Sequence, residues 1–245
     1  MKTITQEQIK WLRSLKQKKF RTADNCYFVE GKKMLEEAIA YASDHIEFIV
    51  TTDEDFKISI TDEIEVLKCT EKQMNQLSEL KTPSAFFILL KQRSEKLPID
   101  NQRFIVLDGL QDPGNLGTII RTCDWFGIKH IVCSKDTVEH YNPKVIQATM
   151  GSIFRVHVSY IDLKDFIKVS KAKIVGTEMT APSLFDSMHI LKEAIGIIIG
   201  NEGKGISPQV KELVNNHISI PKIGNSESLN AAVSAGIIMS HWTKK

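Results

Sequence analysis

The stretch Ile195-Gly196-Ile197-Ile198-Ile199-Gly200 runs without interruption into Asn201-Glu202-Gly203-Lys204-Gly205, and no other part of the chain restricts the fold as tightly. A strand with one wet face alternates apolar and polar residues; this one does not. It therefore predicts a strand buried on both faces, as in a parallel sheet covered by helices. A second apolar strand, His217 to Pro221, leads in the same way into Gly224-Asn225-Ser226-Glu227-Ser228-Leu229-Asn230. Two such strands ending in turns of Gly, Asn, Ser and Glu predict a ligand crevice at the strand ends of an open α/β sheet.

The rest of the chain supports that architecture. In the second half, strands are expected at Phe104–Leu107, His130–Cys133, Val156–Tyr160, Lys173–Thr177, Ala194–Ile199 and Ile218–Ile220. Helices are expected at Leu116–Phe126, Pro143–Thr149, Leu163–Ser170, Pro208–Val214 and Leu229–Trp242. This alternation predicts a mostly parallel sheet with helices on both faces. The first half alternates less regularly. Thr5 caps a helix carrying Ile9, Leu12 and Leu15, followed by strand Tyr27–Glu30 and helix Gly31–Ser43, with Met34, Leu35, Ala38, Ile39 and Ala42 inward. Strands Ile46–Thr52, Glu65–Cys69 and Ser84–Leu90 and helix Glu71–Leu80 complete a small α/β sandwich. From Lys91 to Arg103 the sequence is polar, contains Pro98 and has no apolar period, which marks a linker. We thus expect domains at 1–95 and 104–245 joined by 96–103.

At 245 residues, two domains are comfortable, and 25 % charged with 42 % hydrophobic content is that of a globular protein. No apolar run approaches the roughly 20 residues of a membrane helix. The start, Met1 to Gln8, has no apolar core or small-residue cleavage site of a secretory signal, and Cys26, Cys69, Cys123 and Cys133 are scattered without a C-x-x-C pair. Reduced thiols in a cytoplasmic protein, with neither disulfide framework nor metal site, are the expectation. Residues 1 to 21 hold seven Lys or Arg against the single acid Glu7. Lys16, Lys18, Lys19 and Arg21 are candidates for phosphate contacts, although a solvated helix face gives the same pattern.

Three clusters carry polar residues suited to a site. In Asp112-Pro113-Gly114-Asn115-Leu116-Gly117, the Pro-Gly pair forces a turn and Asn115 can cap the helix that continues to Arg121. Gly200 to Gly205 is rich enough in glycine to hold a ligand against bare backbone, but it is no G-x-G-x-x-G, and Lys204 is followed by Gly205 where a P-loop needs Ser or Thr. In the third, Ser228 is a good cap for the last helix, whose apolar character on more than one side points to a core position or a partner subunit.

In their order, these clusters resemble the SpoU/TrmH family of RNA ribose methyltransferases, within the SPOUT superfamily. The matching residues are Asn115, Gly117 and Arg121, then Gly200-Asn201-Glu202-Gly203-x-Gly205, then Ile220-Pro221 with Ser228-Leu229-Asn230. Met150 to Val156 is also similar to a stretch typical of the family, and residues 1–95 resemble, more weakly, a ribosomal-protein-like RNA-binding domain. The resemblance implies an α/β domain closed by a trefoil knot, a homodimer, and S-adenosylmethionine held by Thr177, Ile199, Gly200, Asn201, Ile220, Ser228 and Leu229. It implies transfer of a methyl group to a ribose 2′-hydroxyl, with Arg121, Asn115, Glu202, Ser228 and Asn230 at the reacting centre and no metal. A guanidinium with a pKa above about 12 is a poor base, so Arg121 is better cast as orienting a phosphate and polarising the hydroxyl. By analogy with that family, the extra N-terminal domain implies 23S ribosomal RNA as substrate. The alternatives are transfer RNA, a non-catalytic RNA-binding protein on the same fold, and a Rossmann-type oxidoreductase.

Overall fold

A computed structural model describes residues 1–56, 64–99 and 101–244. Asp100 of the expected linker and Lys245 at the end of the second expected domain lie outside the described residues. The first elements are β1 (Lys2–Thr3), α1 (Gln6–Ser14), α2 (Lys18–Asp24), β2 (Cys26–Glu30), α3 (Lys32–Ala42), β3 (Ile46–Thr51), β4 (Glu65–Lys68), α4 (Glu71–Leu77) and β5 (Phe86–Lys91). There follow β6 (Phe104–Asp108), α5 (Pro113–Trp125), β7 (His130–Cys133), α6 (Pro143–Thr149), β8 (His157–Tyr160), α7 (Leu163–Val169) and β9 (Ile174–Thr177). The last are α8 (Met188–Glu193), β10 (Gly196–Gly200), α9 (Pro208–Lys211), β11 (Asn216–Ile218) and α10 (Ala231–Trp242). Contacts gather these into two compact units, Met1–Ser94 with Tyr141–Phe154, and Glu95–His140 with Arg155–Lys245.

The first unit is built on a five-stranded sheet of order β1-β4-β3-β5-β2, in which β5 runs antiparallel to both its neighbours. α1 starts with a capping box: Thr5 Oγ1 accepts the Gln8 N–H at 3.2 Å, while the Thr5 N–H donates to Gln8 Oε1 at 2.8 Å. Two orphan donors of the first turn are satisfied together. The helix then buries Ile9 and Leu12, with Leu15 just beyond it, against Phe28, Phe87 and Leu89 of the sheet. Ile39, expected inward on α3, is only partly buried. α6 packs beside β2, and Tyr141 stacks on Tyr27 with ring centroids 4.2 Å apart.

The second unit is a six-stranded sheet of order β11-β9-β10-β6-β7-β8, parallel at every pairing. Ile105, Val106, Leu107, Ile197 and Ile198 in its two central strands are fully buried, as their unbroken apolar run requires. From β6 the chain moves outward first through β7 and β8, then returns to lay β9, β10 and β11 on the other side. The order reverses between β6 and β10, and at such a switch point the loops beyond the strand ends diverge and leave a crevice. The register Gly200↔Asp108 puts the ends of these strands level. Among the described residues, no helix is long and apolar enough to cross a membrane.

Candidate active site

At the switch point, the loop after β6 faces the loop after β10. Asp112, not Asn115, caps α5: its Oδ1 accepts the Asn115 N–H at 2.7 Å, and Pro113 occupies the first turn, where its missing N–H costs nothing. That leaves the Asn115 amide, 9 % exposed, free to act across the crevice. Its Nδ2 donates to Glu202 Oε1 at 3.1 Å and its Oδ1 accepts from Asn230 Nδ2 at 2.8 Å. Asn230, not Ser228, caps α10; its Oδ1 accepts from Ala232 N at 2.9 Å and Val233 N at 3.2 Å. The orientation of every amide is thereby fixed. A carboxylate only accepts and helix N–H groups only donate, so one polarised line of bonds runs from the α10 N-terminus through Asn230 and Asn115 to Glu202.

Glu202 also accepts from the backbone N–H of Gln111 at 3.4 Å and of Asp112 at 3.3 Å. Burial pushes its pKa up, but the Asn115 amide and the backbone N–H groups of Glu202, Asp112 and Gln111 together outweigh that and leave it below the ordinary value. The group is thus an anion at neutral pH. Asn115, Glu202 and Asn230, drawn from three separate stretches of the chain, are brought into direct contact.

The loop that carries Glu202 is closed by paired bonds between Asn201 and Gly205, N to O at 2.9 Å in both directions. A Cβ on Gly200 would lie 2.2 Å from the Gly205 carbonyl carbon and 2.3 Å from Ile206 N, so only glycine fits there. Asn201 was expected to contact the cofactor. Its Oδ1 instead accepts from Gly203 N and Lys204 N, both at 3.0 Å, and its Nδ2 donates to the Gly109 carbonyl at 2.7 Å. With backbone and side chain both engaged, it faces the protein.

Other candidates fall differently. Arg121 lies on α5 but is exposed and makes no hydrogen bond or ion pair among the described residues. Six residues at about 100° each turn it roughly 120° away from Asn115 around the helix, so a single protomer does not bring it into the polar line. Pro221 to Asn230 is exposed throughout, including Ser228 and Leu229, and Ser228 meets the protein through its carbonyl, which accepts from Ser226 Oγ at 3.0 Å. Thr177 ends β9, with its hydroxyl on the Ile198 carbonyl at 2.9 Å; Ile199 is buried within β10 and Ile220 half-buried beyond β11. Arg21 is 2 % exposed and donates to the carbonyls of Leu15 at 2.7 Å and Lys16 at 2.9 Å, closing the end of α1; it is unavailable to RNA. Lys16 pairs with Glu79 at 2.6 Å, whereas Lys18 and Lys19 are exposed.

Sequence reasoning did not single out Gly109 and Gln111. Gly109 has φ 72° and donates to Ser134 Oγ at 2.8 Å, and Gln111 Nε2 bonds the Asp136 carbonyl at 2.6 Å. A glycine directly after a buried strand was the available signal; nothing marked Gln111.

The strand ends fit an S-adenosylmethionine site on one structural test. Residues 220 to 229 donate no backbone N–H to another protein group among the described residues, which leaves free backbone donors just beyond β11, whose Ile218 is level with Thr177. Among the described residues, no group of three or more His, Cys, Asp or Glu side chains is placed to hold a metal ion. All four cysteines are buried and unpaired.

Comparison with known proteins decides the family. A sequence model of the SpoU rRNA methylase family matches residues 102–240. The chain belongs to this family. It is accordingly an RNA methyltransferase that uses S-adenosylmethionine. An MRM3-like substrate binding domain model matches residues 6–87. The 23S rRNA (guanosine(2553)-2′-O)-methyltransferase RlmP of Bacillus subtilis is 29 % identical over 238 residues, 96 % of this chain and 95 % of the relative. An AdoMet-bound rRNA methyltransferase from Sinorhizobium meliloti superposes with a TM-score of 0.87 at 26 % identity, over 99 % of this chain and 96 % of the other. The SpoU methyltransferase AviRb from Streptomyces viridochromogenes shares the fold, with a TM-score of 0.84 at 21 % identity over 98 % and 97 % of the two chains.

Proposed function

We propose that this chain methylates a ribose 2′-hydroxyl in 23S ribosomal RNA, as a cytoplasmic homodimer, with the domain 1–95 holding the RNA, 96–103 as linker and 104–245 carrying the chemistry. The observation that carries the reading is the line Asn230–Asn115–Glu202, where three separate motifs meet at the strand switch point. The bound cofactor supplies a sulfonium methyl. Thr177, Ile199, Gly200, Ile220, Ser228 and Leu229 are our choice for its walls, with specificity drawn from backbone groups. Glu202 and the two amides hold the crevice rigid and would orient the ribose hydroxyl toward the bound cofactor. Arg121 fixes a substrate phosphate and polarises the hydroxyl; a phosphate oxygen or water takes the proton.

Several features support the finer parts of this reading. Ile223 is fully exposed, Val233 is 52 % and Leu229 is 49 % exposed, an apolar face on and before α10 that a second copy would cover. The exposed Arg121 of one protomer then completes the crevice of the other. For a threaded C-terminus, the support is that Ser219 N donates to the Pro182 carbonyl and Leu184 N to the Ser219 carbonyl, both at 2.8 Å, while Trp242 Nε1 donates to the Ala194 carbonyl at 3.1 Å. The test is mapping of ribose methylation in 23S ribosomal and transfer RNA from cells with and without the protein, with labelled S-adenosylmethionine in vitro. One 23S ribose that loses its mark supports the proposal; an unchanged map sinks it. Arg121→Ala should abolish transfer with cofactor affinity retained.

A further inference from the structure

We infer that Asn201 is a positioning residue for the reaction, setting the place of the Glu202 carboxylate without touching substrate or cofactor. The inference rests on the proposed role of Glu202. Asn201 and Glu202 are neighbours, yet both reach back to the loop after β6 with opposite hydrogen-bonding character. Asn201 Nδ2 donates to the Gly109 carbonyl at 2.7 Å; the Glu202 carboxylate accepts from the N–H groups of Gln111 and Asp112. Carbonyl and N–H groups of one short loop are thus gripped by a donor and an acceptor from another. The relative register of the two loops is fixed at two points.

Each end of this grip is itself held. On the near side, Asn201 Oδ1 accepts from Gly203 N and Lys204 N at 3.0 Å, and its backbone closes the turn with Gly205. On the far side, the Gly109 carbonyl also accepts from Gln111 Nε2 at 3.2 Å, and Gly109 N donates to Ser134 Oγ at the end of β7. A Cβ on Gly109 would lie 3.8 Å from Asn201 Cβ and 3.2 Å from Asp136 Oδ2, so the loop has little room to slide. Asparagine is suited to the position because a short amide carries an acceptor for the turn and a donor for the carbonyl on one plane. Aspartate keeps the first and loses the second. Serine can still accept from the turn N–H groups but is too short to reach Gly109.

The two replacements therefore cut the Asn201–Gly109 bond while leaving the turn able to form. Asn201→Asp is isosteric but adds a charge; Asn201→Ser is neutral. The full-length protein is labelled with ¹³C-glutamate, the Glu202 carboxyl signal is identified by its loss in Glu202→Gln, and its pH titration is followed. Turnover on 23S RNA and S-adenosylmethionine affinity are measured in parallel. In both variants we expect Glu202 to titrate at higher pH than in the native protein, kcat to fall roughly 10- to 100-fold as for a misplaced catalytic group, and cofactor Kd to change less than about twofold. An upward shift in Asn201→Asp alone would be the field of the added charge and would overturn the inference, as would an unshifted Glu202 titration in Asn201→Ser. A cofactor affinity that falls in step with the rate would make Asn201 a cofactor contact instead. The carboxyl titration reads the positioning even if 23S RNA proves not to be the substrate, so failure of the functional reading and failure of this inference are separable.

Discussion

Replacing Asn115 by aspartate changes one atom of the polar line and reverses its sense. The group that donates to Glu202 at 3.1 Å becomes an oxygen, and two carboxylates then face each other at that distance. Coulomb repulsion at this separation is roughly 1 kcal/mol in water and about 5 kcal/mol at the effective dielectric of a protein surface. Glu202 is only half-buried, which places the penalty at about 1 to 3 kcal/mol after screening. At about 2 to 4 °C per kcal/mol for a chain of this size, Tm should fall by about 2 to 12 °C at pH 8.

The pH dependence separates charge from shape. Like-charge proximity raises the pKa of the pair in the folded state above its unfolded value near 4. The penalty is therefore full above the raised value and vanishes as pH drops toward the unfolded one, where one proton shared by the pair restores an O–H donor toward the remaining carboxylate. Calorimetry of native and Asn115→Asp protein from pH 8 to about 4.5, following the transition that added S-adenosylmethionine raises, should show the Tm gap closing on acidification. A gap that stays constant across that range, or no gap at pH 8, would refute the reasoning.

Glu202→Gln bears on the same group from the other side. Because the folded pKa of Glu202 is lowered, its stabilising contribution is present above the unfolded pKa of about 4.3 and lost only as pH falls through the lower folded value, so the Tm difference between native and Glu202→Gln should narrow only under acid conditions. Gly200→Ala places a methyl group 2.2 Å from backbone that cannot yield, and titration calorimetry should find S-adenosylmethionine binding lost; unaltered affinity would show that the turn tolerates displacement. Arg21→Ala removes the charged hydrogen bonds to the Leu15 and Lys16 carbonyls just beyond α1, with a cost of about 2 to 4 kcal/mol read as a lower Tm, while the salt dependence of RNA binding stays as it was. Lys18→Ala and Lys19→Ala should do the opposite, leaving Tm in place and flattening the log–log salt slope by about 0.7 to 0.9 for each RNA phosphate that is no longer neutralised.

Much of the fold could be read before any coordinates. The central strands were visible because an unbroken run such as Ile197-Ile198-Ile199 has only one environment open to it, and α1 because Thr5 and Gln8 form a local signal three residues apart. α2 escaped notice: Lys18-Lys19-Phe20-Arg21-Thr22-Ala23-Asp24 has no apolar period, and the helix ends on Asn25 in the left-handed region with φ 53°. β1, two residues long, exists only through its pairing with β4. Both caps of the site were misassigned for the same reason. Asp112, Asn115, Ser228 and Asn230 are all good capping residues, and a choice among them turns on backbone geometry that composition does not encode.

The sequence by itself determined burial, strand and helix placement, and the set of polar residues from which a site could be made, because each of these depends on neighbours a few positions away. Only the tertiary structure decided which of those residues act together. Asn115 meets Glu202 across 87 positions, Asn201 meets Gly109 across 92 and Asn230 meets Asn115 across 115. It also buried Arg21, a candidate RNA contact, against the Leu15 and Lys16 carbonyls, and bonded the Asn201 side chain to Gly109, Gly203 and Lys204. A hydrogen bond has a direction and a length of about 3 Å, and no pattern along the chain specifies which distant donor will arrive within that reach.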